Sequence, residues 1–382
     1  MIVLTEEQQK AHDRIVQWSK KPTECLTLGG LAGTGKTTLL GALASTLKSQ
    51  GKRLAFCTVS GKATAVLKTK LAGILGEQDF CGTIHKLIYA LVGKERQKNG
   101  RDELYFNVRD EIKLPYDLII VDEASMLNEW IYNDLRDLGL PIIAVGDHGQ
   151  LPPVKGSFNL MASPHIRLET IMRQGEGNPI IDVAMNARTS GKIEFGGFGP
   201  NCQKTRELKV LHGHDFASLD SIMICAINRT RVRMNDFARE KLGRGGKYPM
   251  VGEPVICLYN NHKRGIYNGN IGVVIAVHGM SVAEDNKTHV LFVDIDFGDF
   301  IYSHKINADQ FGREYTQINE DIDDVDYFDF AYCITCHKSQ GSEWKNVLVL
   351  EEGEFMFRDG MWNRWLYTAC TRAKDKLTIY KK

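Results

Sequence analysis

The sequence predicts an α/β protein with two domains, each built on a parallel sheet and each carrying a small insert. Three observations support this fold class. Short β-branched runs alternate with helical patterns along residues 1–165, the alternation resumes near residue 166, and it breaks at 87–116 and at 255–325. Strands that alternate with helices are typical of parallel sheets with crossover helices.

The segments of the first domain follow one another as strand and helix. CLTLGG predicts a strand, and KTTLLGALASTLKSQG predicts a helix whose leucines share one face and whose end is marked by Gly51. The leucines on that face are Leu39, Leu40, Leu43 and Leu47. The strand LAFCTVS, the helix GKATAVLKTKLAGIL and the strands DLIIVDE and PIIAVGD continue the alternation.

Two segments depart from this pattern. Residues 87–116 are polar and carry a turn signal at Asn99-Gly100, which indicates a small hairpin. Residues 255–325 contain the alternating runs IGVVIAV and HVLFVDIDF, which indicate a small all-β insert. Around that insert, SIMICAIN, TRVRMNDFAREKLG and NVLVLEE predict the second α/β domain, which ends with a helix and the strand KLTIY.

Composition places the chain among ordinary globular proteins. Of its 382 residues 43% are hydrophobic and 25% are charged, and the net charge of +1 predicts no general basic surface, although a local basic channel is compatible with it. No apolar run approaches the roughly 18 residues that span a bilayer. The opening MIVLTEEQQKAHDR lacks the features of a signal peptide. We therefore expect a cytoplasmic protein that does not bind a membrane.

The segment GLAGTGKT, residues 30–37, matches the phosphate-binding pattern G-x-x-x-x-G-K-[ST] between a predicted strand and a predicted helix. Glycines let backbone N–H groups approach the phosphates, and the helix N-terminus favours negative charge. We expect Lys36 to reach the β- and γ-phosphates of ATP and Thr37 to bind Mg²⁺. The residues predicted to contact the nucleotide here are Gly30, Ala32, Gly33, Thr34, Gly35, Lys36, Thr37 and Thr38.

Two carboxylates follow the strand in LIIVDEAS. Asp122 is expected beside the magnesium ion, and Glu123 is expected to orient or deprotonate a water. An acidic residue that acts on water separates hydrolases from small-molecule kinases. The sequence therefore predicts nucleoside triphosphate hydrolysis.

The segment CITCHKSQGSEW, which starts at Cys333, allows two interpretations. C-x-x-C-H is the attachment signature of a c-type haem, and two cysteines at this spacing can also form half of a zinc site. No second Cys/His pair lies at finger spacing. An odd total of nine cysteines in a chain without an export signal favours reduced, buried thiols and no haem.

Taken in order, LTEEQ, GLAGTGKT, TVSGKATAVL, GTIHKL, VDEAS, GDHGQLPPV, IMRQ, CHKSQGSEW and YTACTRAK resemble the motifs of superfamily 1 helicases. The resemblance runs from Leu4 to Lys374 and is strongest to the RecD- and Dda-like (1B) branch, whose members move 5′ to 3′ on single-stranded DNA. It implies two RecA-like P-loop domains: 1–165 as domain 1A with insert 1B near 87–116, and 166–254 with 326–382 as domain 2A. Residues 255–325 then form insert 2B, expected to be SH3-like.

The resemblance also implies roles for residues outside the phosphate loop. Gln8 would bind adenine through its amide, and Gln150 would contact the γ-phosphate or the attacking water. Arg173 and Arg372 would reach the γ-phosphate from the second domain, a role that suits the fixed charge and planar fork of arginine. Lys36, Glu123, Gln150, Arg173 and Arg372 are then the catalytic residues, and Gly341 and Glu343 would link the nucleotide cleft to DNA.

Single-stranded DNA is expected to cross both domains. In the first domain, the residues that match DNA-contact motifs are Ser60, Gly61, Lys62, Thr83 and His85; in the second they are Asn228, Arg229, Asn235, Thr335 and His337. Hydroxyl, amide and basic groups contact phosphates without reading sequence, so binding should be largely sequence-independent and salt-sensitive.

The implied function is an ATP- and Mg²⁺-dependent 5′ to 3′ DNA helicase. It would hydrolyse ATP at the cleft between two RecA-like domains, as a monomer at a DNA fork, in a bacterial or phage-infected cell, recruited by replication or recombination proteins. Two alternatives remain open at this stage: a helicase of the same superfamily that acts on RNA, and an ATP-controlled clamp that binds nucleic acid without moving.

Overall fold

The computed structural model describes residues 3–59, 61–96, 102–108, 114–152, 158–171, 178–261, 264–298, 300–318, 322 and 324–382, with the backbone alone at 62, 65, 89–96 and 102–108. The chain forms two compact units, residues 1–178 and 179–382. In the described ranges, no helix has the length and apolar character needed to cross a membrane.

The first unit alternates strands and helices as predicted. Its helices are α1 (Glu6–Trp18), α2 (Lys36–Ser49), α3 (Gly61–Lys70), α4 (Ile84–Ile88) and α5 (Glu129–Asp137). Its strands are β1 (Cys25–Gly30), β2 (Leu54–Thr58), β3 (Phe80–Thr83), β4 (Tyr89–Arg96), β5 (Asp102–Val108), β6 (Leu118–Asp122), β7 (Ile142–Gly146) and β8 (Ile166–Leu168). Six of these strands form one parallel sheet in the order β3-β2-β6-β7-β1-β8.

The first sheet is buried on both faces, which is why its strands are almost wholly apolar. Successive residues of β2 alternate between two cores: Leu54 and Phe56 pack with α1 and α2, whereas Ala55 and Cys57 pack with α4 and α5. The predicted leucine face of α2 is buried in the first of these cores. The helix stops before Gly51, whose φ of 80° is left-handed and therefore suits glycine.

Strands β4 and β5 form a separate antiparallel hairpin between α4 and β6, inside the segment predicted as an insert. The predicted turn at Asn99-Gly100 lies outside the described residues. The predicted end of the first domain at residue 165 is too early, because β8 pairs in parallel with β1 and completes the first sheet.

The second unit contains its own mainly parallel sheet. Its helices are α6 (Pro179–Ser190), α7 (Lys209–His212), α8 (Asn228–Lys241), α9 (Cys336–Ser339) and α10 (Met361–Cys370). The sheet strands are β9 (Gly196–Gly197), β10 (Cys202–Thr205), β11 (Ser221–Cys225), β17 (Cys333–Thr335), β18 (Trp344–Leu350) and β19 (Ala373–Tyr380). Their order is β17-β11-β18-β19-β10-β9, and β9 is antiparallel to β10.

A five-stranded antiparallel sheet interrupts this unit. Its strands are β12 (Pro254–Cys257), β13 (Ile271–Val282), β14 (His289–Asp296), β15 (Ile301–Asn307) and β16 (Phe328–Phe330). The predicted end of the insert at residue 325 is too early, because β16 pairs with β12. The paired residues Val255 and Phe330 belong to the same core as Met223 and Leu348 of the parallel sheet, so the two sheets share one hydrophobic core.

Buried ion pairs also join helix α8 to the five-stranded sheet. On α8, Arg231 pairs with Asp329 of β16, and Arg239 donates to both carboxylate oxygens of Glu253 at 2.8 and 3.2 Å. All four side chains are almost fully buried. Removing one partner of such a pair leaves an uncompensated buried charge, so substitution of either partner should destabilise the contact between the insert and α8.

Candidate functional site

The phosphate loop connects the end of β1 to the start of α2. The Lys36 ammonium folds back over the loop and donates to the carbonyl oxygens of Gly30 at 2.8 Å and Leu31 at 3.0 Å. The Thr34 hydroxyl donates to the Leu31 carbonyl at 2.9 Å and is buried. The lysine is therefore positioned across the loop by backbone carbonyls, while Ala32 is half-buried and Thr38 is exposed at the start of the helix.

Two loop glycines have left-handed backbone angles that residues with a Cβ rarely adopt. Gly33 has a φ of 82°, and Gly35, which caps α2, has a φ of 73°. A Cβ at Gly35 would lie 2.3 Å from the Nε2 of Gln8. The glycine is thus required both by its backbone and by the close approach of α1.

Gln8 links α1 to the phosphate loop. Its Oε1 accepts from the N–H of Thr5 at 3.0 Å in a capping box, and its Nε2 donates to the carbonyl of Thr34 at 3.0 Å. The sequence predicted adenine binding for Gln8 and did not foresee this contact. An amide has two N–H groups and two lone pairs, so one of each remains for a bidentate contact to a base.

Asp122 ends β6, as the sequence predicted, and is half-buried. Burial raises the pKa of Asp122, against the N–H of Glu123, which donates to its Oδ1 at 2.9 Å, and against the charges of Lys36 and Lys70. The ammonium of Lys70 also lies 3.4 Å from the hydroxyl of Thr37. Lys70 stands in no recognisable motif and was not predicted, because its place beside the site depends on the packing of α3.

Glu123 has a left-handed backbone, with a φ of 56°. For a residue with a side chain this conformation costs free energy, and such strain persists where the surroundings hold it. It occurs here between β6 and a one-turn 3₁₀ helix, Ala124–Met126. The sequence predicted a role for the Glu123 carboxylate but not the left-handed backbone of this residue.

Gln150 is positioned by Asp147. The Asp147 carboxylate accepts from the Gln150 Nε2 at 3.1 Å and from the N–H of Gly149 at 2.8 Å, and both Asp147 and Gln150 are buried. The segment GDHGQ thus forms a closed turn after β7. Asp147 was not among the predicted site residues, although its position in the motif, three residues before the glutamine, was a usable signal.

The strand order brings these groups to one edge of the sheet. Strands β6, β7 and β1 are neighbours, and Gly146 of β7 lies abreast of Gly29 of β1, so the phosphate loop, Asp122 and the Gln150 turn all follow adjacent carboxyl ends. At the same edge, Thr58 of β2 lies abreast of Asp122 on one side and of Thr83 on the other.

The predicted DNA-contact residues of the first unit therefore follow strands next to the phosphate site. Gly61 begins α3, the buried Thr83 accepts from the N–H of Lys86 at 3.3 Å, and half-buried His85 lies on α4. Ser60 lies outside the described residues, as does the side chain of Lys62.

In the second unit the predicted DNA-contact residues separate into surface and core positions. Half-buried Asn228 begins α8 and accepts from Arg231, and exposed Arg229 forms a 3.2 Å surface pair with Glu314. The prediction for Asn235 is wrong. Its amide donates to the carbonyls of Phe330 and Cys333 and accepts from the N–H of Cys333, so it joins α8 to two strands and is buried away from the surface.

The segment CITCHKSQGSEW forms β17, the short helix α9 and the start of β18. Thr335 and His337 are half-buried, Gly341 has a φ of 72°, and Glu343 lies 3.6 Å from Lys374. Burial lowers the pKa of His337. Gly341 and Glu343 therefore lie in the turn that leads into β18.

The cysteines of this segment are buried and free. Cys333 lies on β17, whereas Cys336 begins α9. Burial raises the pKa of the Cys336 thiol to about 12. Within the described ranges, no three His, Cys, Asp or Glu side chains are grouped in a way that could hold a metal ion.

Arg372 is buried at 4% exposure and bonded to neutral oxygens. Its guanidinium donates to the carbonyls of Thr368 at 3.0 Å and Ser342 at 3.1 Å and to the hydroxyl of Thr371 at 3.1 Å. In the part of the chain that the structure describes, it pairs with no carboxylate. Arg173, the second predicted arginine, lies outside the described residues.

Two family models and several known proteins are similar to this chain. The family described as "AAA domain" matches residues 3–200, and the "UvrD-like helicase C-terminal domain" matches residues 330–380. The "ATP-dependent RecD2 DNA helicase" of Deinococcus radiodurans is 27% identical over 98% of this chain and 48% of that protein. The "ATP-dependent DNA helicase dda" of Enterobacteria phage T4 is 26% identical over 66% of this chain and 60% of that protein.

The same fold occurs in solved structures. The Pif1 helicase from Bacteroides in complex with ADP-AlF3 and single-stranded DNA has a TM-score of 0.57 and 22% identity, and the alignment covers 99% of this chain and 92% of that one. The chain spans about half the length of the Deinococcus relative. Because the AAA domain match covers more than half of its residues, the chain belongs to the AAA domain family, and it is similar to the RecD2 and Dda helicases.

Proposed function

We propose that the chain is an ATP-driven motor that moves 5′ to 3′ along single-stranded DNA and unwinds duplex DNA. The observation that carries this proposal is the row Thr83, Thr58 and Asp122, whose members are neighbours in register at one edge of the first sheet. The loops proposed to hold DNA therefore adjoin the carboxylates proposed to act on ATP, so a change at one reaches the other over a short distance.

ATP would bind with its phosphates in the loop from Gly30 to Thr37. Lys36 would exchange its two carbonyl acceptors for phosphate oxygens, and ionised acceptors make the stronger hydrogen bonds. The left-handed glycines leave room for the backbone to approach the phosphates. Gln8 would keep its contact to Thr34 and use the remaining N–H and lone pair on adenine.

The donor set fits Mg²⁺. Thr37 and Asp122 offer oxygen ligands, and this ion is usually held by one or two carboxylates together with substrate phosphates rather than by a cage of protein ligands. Thr37 and Asp122 would hold the ion, which when bound neutralises charge on the β- and γ-phosphates. Asp122, whose pKa burial raises, would then act in its charged form.

For hydrolysis, we propose that Glu123 orients the attacking water and accepts its proton. The strained backbone of Glu123 supports this role, since strain of this kind is retained at sites where position matters. Gln150, held by Asp147 at 3.1 Å, would contact the water or the γ-phosphate. Both side chains follow strand ends next to the phosphate loop.

Arg372 would respond to the γ-phosphate, and Arg173 would share this role. A buried charge is costly unless it is paired, and the Arg372 guanidinium has only neutral acceptors among the described residues. Its two remaining N–H groups are available to an anion. An arginine that reaches the transferred phosphate can contribute about 10³–10⁵ in rate.

On the nucleic-acid side, Gly61, Thr83 and His85 would contact the DNA backbone from the first unit. Asn228, Arg229, Thr335 and His337 would do so from the second, together with Ser60 and Lys62 in the first. Arg229 can exchange its surface partner Glu314 for a phosphate at small cost, because exposed pairs contribute only about 0.2–1 kcal/mol. Gly341 and Glu343 would link these contacts to the nucleotide.

We further propose that the β4–β5 hairpin and the five-stranded sheet correspond to inserts 1B and 2B, the latter SH3-like, and that the motor works as a monomer at a fork. The buried ion pairs that join the five-stranded sheet to α8 support a rigid insert. Sedimentation with and without a forked oligonucleotide tests the monomer proposal, and a stable dimer on DNA would contradict it.

The deciding experiment compares two partial duplexes of the same sequence, one with a 5′ single-stranded tail and one with a 3′ tail. We expect ATP-dependent unwinding of the 5′-tailed duplex alone, and hydrolysis that single-stranded DNA stimulates more than RNA does. Lys36→Ala should abolish both, because it removes the phosphate-binding ammonium. Lys10→Ala, which removes an exposed lysine of the same unit, should leave both intact.

Each other outcome rejects a defined part of the proposal. Unwinding of the 3′-tailed duplex alone would keep the ATPase chemistry and reject the polarity. Stimulation of hydrolysis without unwinding or displacement of a bound protein would favour a clamp, and stronger stimulation by RNA would favour an RNA-directed motor. Hydrolysis that survives Lys36→Ala would reject the site itself.

A further inference from the structure

Trp130 is an exposed tryptophan in the first turn of α5. It is 56% exposed, whereas Trp18 is half-buried and the other three tryptophans, Trp344, Trp362 and Trp365, are buried. The next residue, Ile131, is buried in the core beneath the helix, so α5 turns Trp130 outward. Single exposed apolar side chains are common on protein surfaces, so a role for Trp130 can be inferred only from the residues beside it.

The indole of Trp130 lies beside the imidazole of His85. Their ring centroids are 6.3 Å apart and the ring planes are inclined by 73°. The helices α4 and α5 that carry them share one apolar core, which fixes this pair in place. His85 stands two residues after Thr83, so Trp130 is at the edge where the strand ends Thr83, Thr58 and Asp122 form a row.

One acidic and one basic residue adjoin the Trp130–His85 pair in sequence. Glu129, the neighbour of Trp130 on α5, is exposed and repels phosphate, whereas Lys86, the neighbour of His85 on α4, is exposed and attracts it. The T-shaped contact with His85 leaves much of Trp130 uncovered, since the residue is 56% exposed. Aromatic faces of this kind stack with nucleobases regardless of sequence.

We infer that Trp130, packed in a T-shaped pair with His85, offers a stacking surface to one base of single-stranded DNA, with the adjoining phosphate drawn toward Lys86. This inference rests on the proposed function, because it assigns a further DNA-binding residue to the same motor. It extends the predicted track from the loops after β2 and β3 to the start of α5, a surface that no motif of the sequence marks.

The test measures binding of a fluorescein-labelled oligodeoxynucleotide by anisotropy to the full chain and to Trp130→Ala, Trp130→Phe and Phe195→Ala. Phe195 is an exposed aromatic next to β9, at the opposite edge of the second sheet from β17 and β11, and serves as the control. We expect Trp130→Ala to raise the Kd about 5- to 150-fold, Trp130→Phe to raise it less, and Phe195→Ala to leave it unchanged. Thermal unfolding verifies that each variant is folded.

A second oligonucleotide of the same length, made of abasic nucleotides, separates stacking from backbone contact. The effect of Trp130→Ala should disappear on this strand, and DNA should quench the tryptophan fluorescence of the wild type more than that of Trp130→Phe. An unchanged Kd for a folded Trp130→Ala, or an equal loss on both strands, overturns the inference while leaving the motor intact. Failure of the wild type to bind either strand would reject the proposed function as well.

Discussion

Replacement of Gly35 by alanine tests how α1 supports the phosphate loop. Gly35 has a φ of 73°, and a Cβ there would lie 2.3 Å from the Nε2 of Gln8. Because that separation is far below van der Waals contact, the Gln8 side chain must move. Its hydrogen bond to the Thr34 carbonyl, 3.0 Å in the wild type, is then lost.

The expected cost has two parts. A left-handed backbone costs a residue with a Cβ about 1–2 kcal/mol. Losing a buried hydrogen bond and leaving its partners unsatisfied costs about 1–3 kcal/mol more, so Gly35→Ala should lower the free energy of unfolding by about 2–5 kcal/mol. Gly51→Ala is the matched control, because Gly51 has a φ of 80° and no atom within 4 Å of the new Cβ. It should cost only the first part.

Denaturant unfolding of the full chain measures these changes, and a double-mutant cycle with Gln8→Ala isolates the contact. In the Gln8→Ala background the alanine at position 35 meets no amide, so Gly35→Ala should there cost no more than Gly51→Ala. A non-hydrolysable ATP analogue should also stabilise Gly35→Ala less than the wild type, because the loop that binds phosphate is displaced. Additive effects of Gln8→Ala and Gly35→Ala, or equal costs for Gly35→Ala and Gly51→Ala, would refute the reasoning.

Three further predictions concern charges. Because burial raises the pKa of Asp122, its carboxylate destabilises the fold at neutral pH, so Asp122→Asn should raise the Tm at pH 7 while abolishing ATP hydrolysis. Calorimetry should show that this gain in Tm shrinks as the pH falls towards 3.8, the usual pKa of aspartate, and a lower Tm of the variant at pH 7 would contradict the prediction. Burial lowers the pKa of Lys338 to about 8, and its ammonium donates to Asn268 at 2.9 Å beside the proposed DNA residues, so DNA affinity should fall from pH 7 to pH 9. Lys338→Arg should remove most of that fall, and an identical pH profile for the variant would show that Lys338 does not cause it. Glu253→Ala leaves Arg239 buried without its partner and should lower the free energy of unfolding in urea by about 3–5 kcal/mol. Lys345→Ala, in the exposed pair with Asp220, should lower it by only about 0.2–1 kcal/mol, and similar losses for both variants would argue against a buried pair.

The fold was largely predictable because its strands and helices are encoded in local patterns. The apolar runs of β2, β6 and β7 are buried on both faces, and the leucines of α2 recur at helical spacing, so each element is visible in its own residues. The ends of larger regions were less predictable. β8 and β16 are three residues long, and their membership depends on pairing with β1 and β12, which lie far away in the chain.

Some residues of the candidate site were likewise predictable from the sequence, and others were not. Lys36, Thr37, Asp122 and Glu123 stand in short motifs whose chemistry depends on neighbours in sequence, and the structure brings them to adjacent strand ends. Asn235 stands in a similar segment, yet packing turned its amide into the core, where it bonds to two strands. A helix offers several faces to its surroundings, and which face becomes buried is decided by what packs against it.

The sequence by itself therefore indicated the proposed nucleotide chemistry and determined the order of strands and helices and the family to which the chain belongs, because those properties depend on local patterns and spacing. Only the tertiary structure decided that Gln8 supports the phosphate loop, that Lys70 lies near Asp122, and that Trp130 stands beside His85. These pairs join residues from different elements. Their proximity follows from the packing of whole helices against the sheet, which no segment of the chain specifies alone.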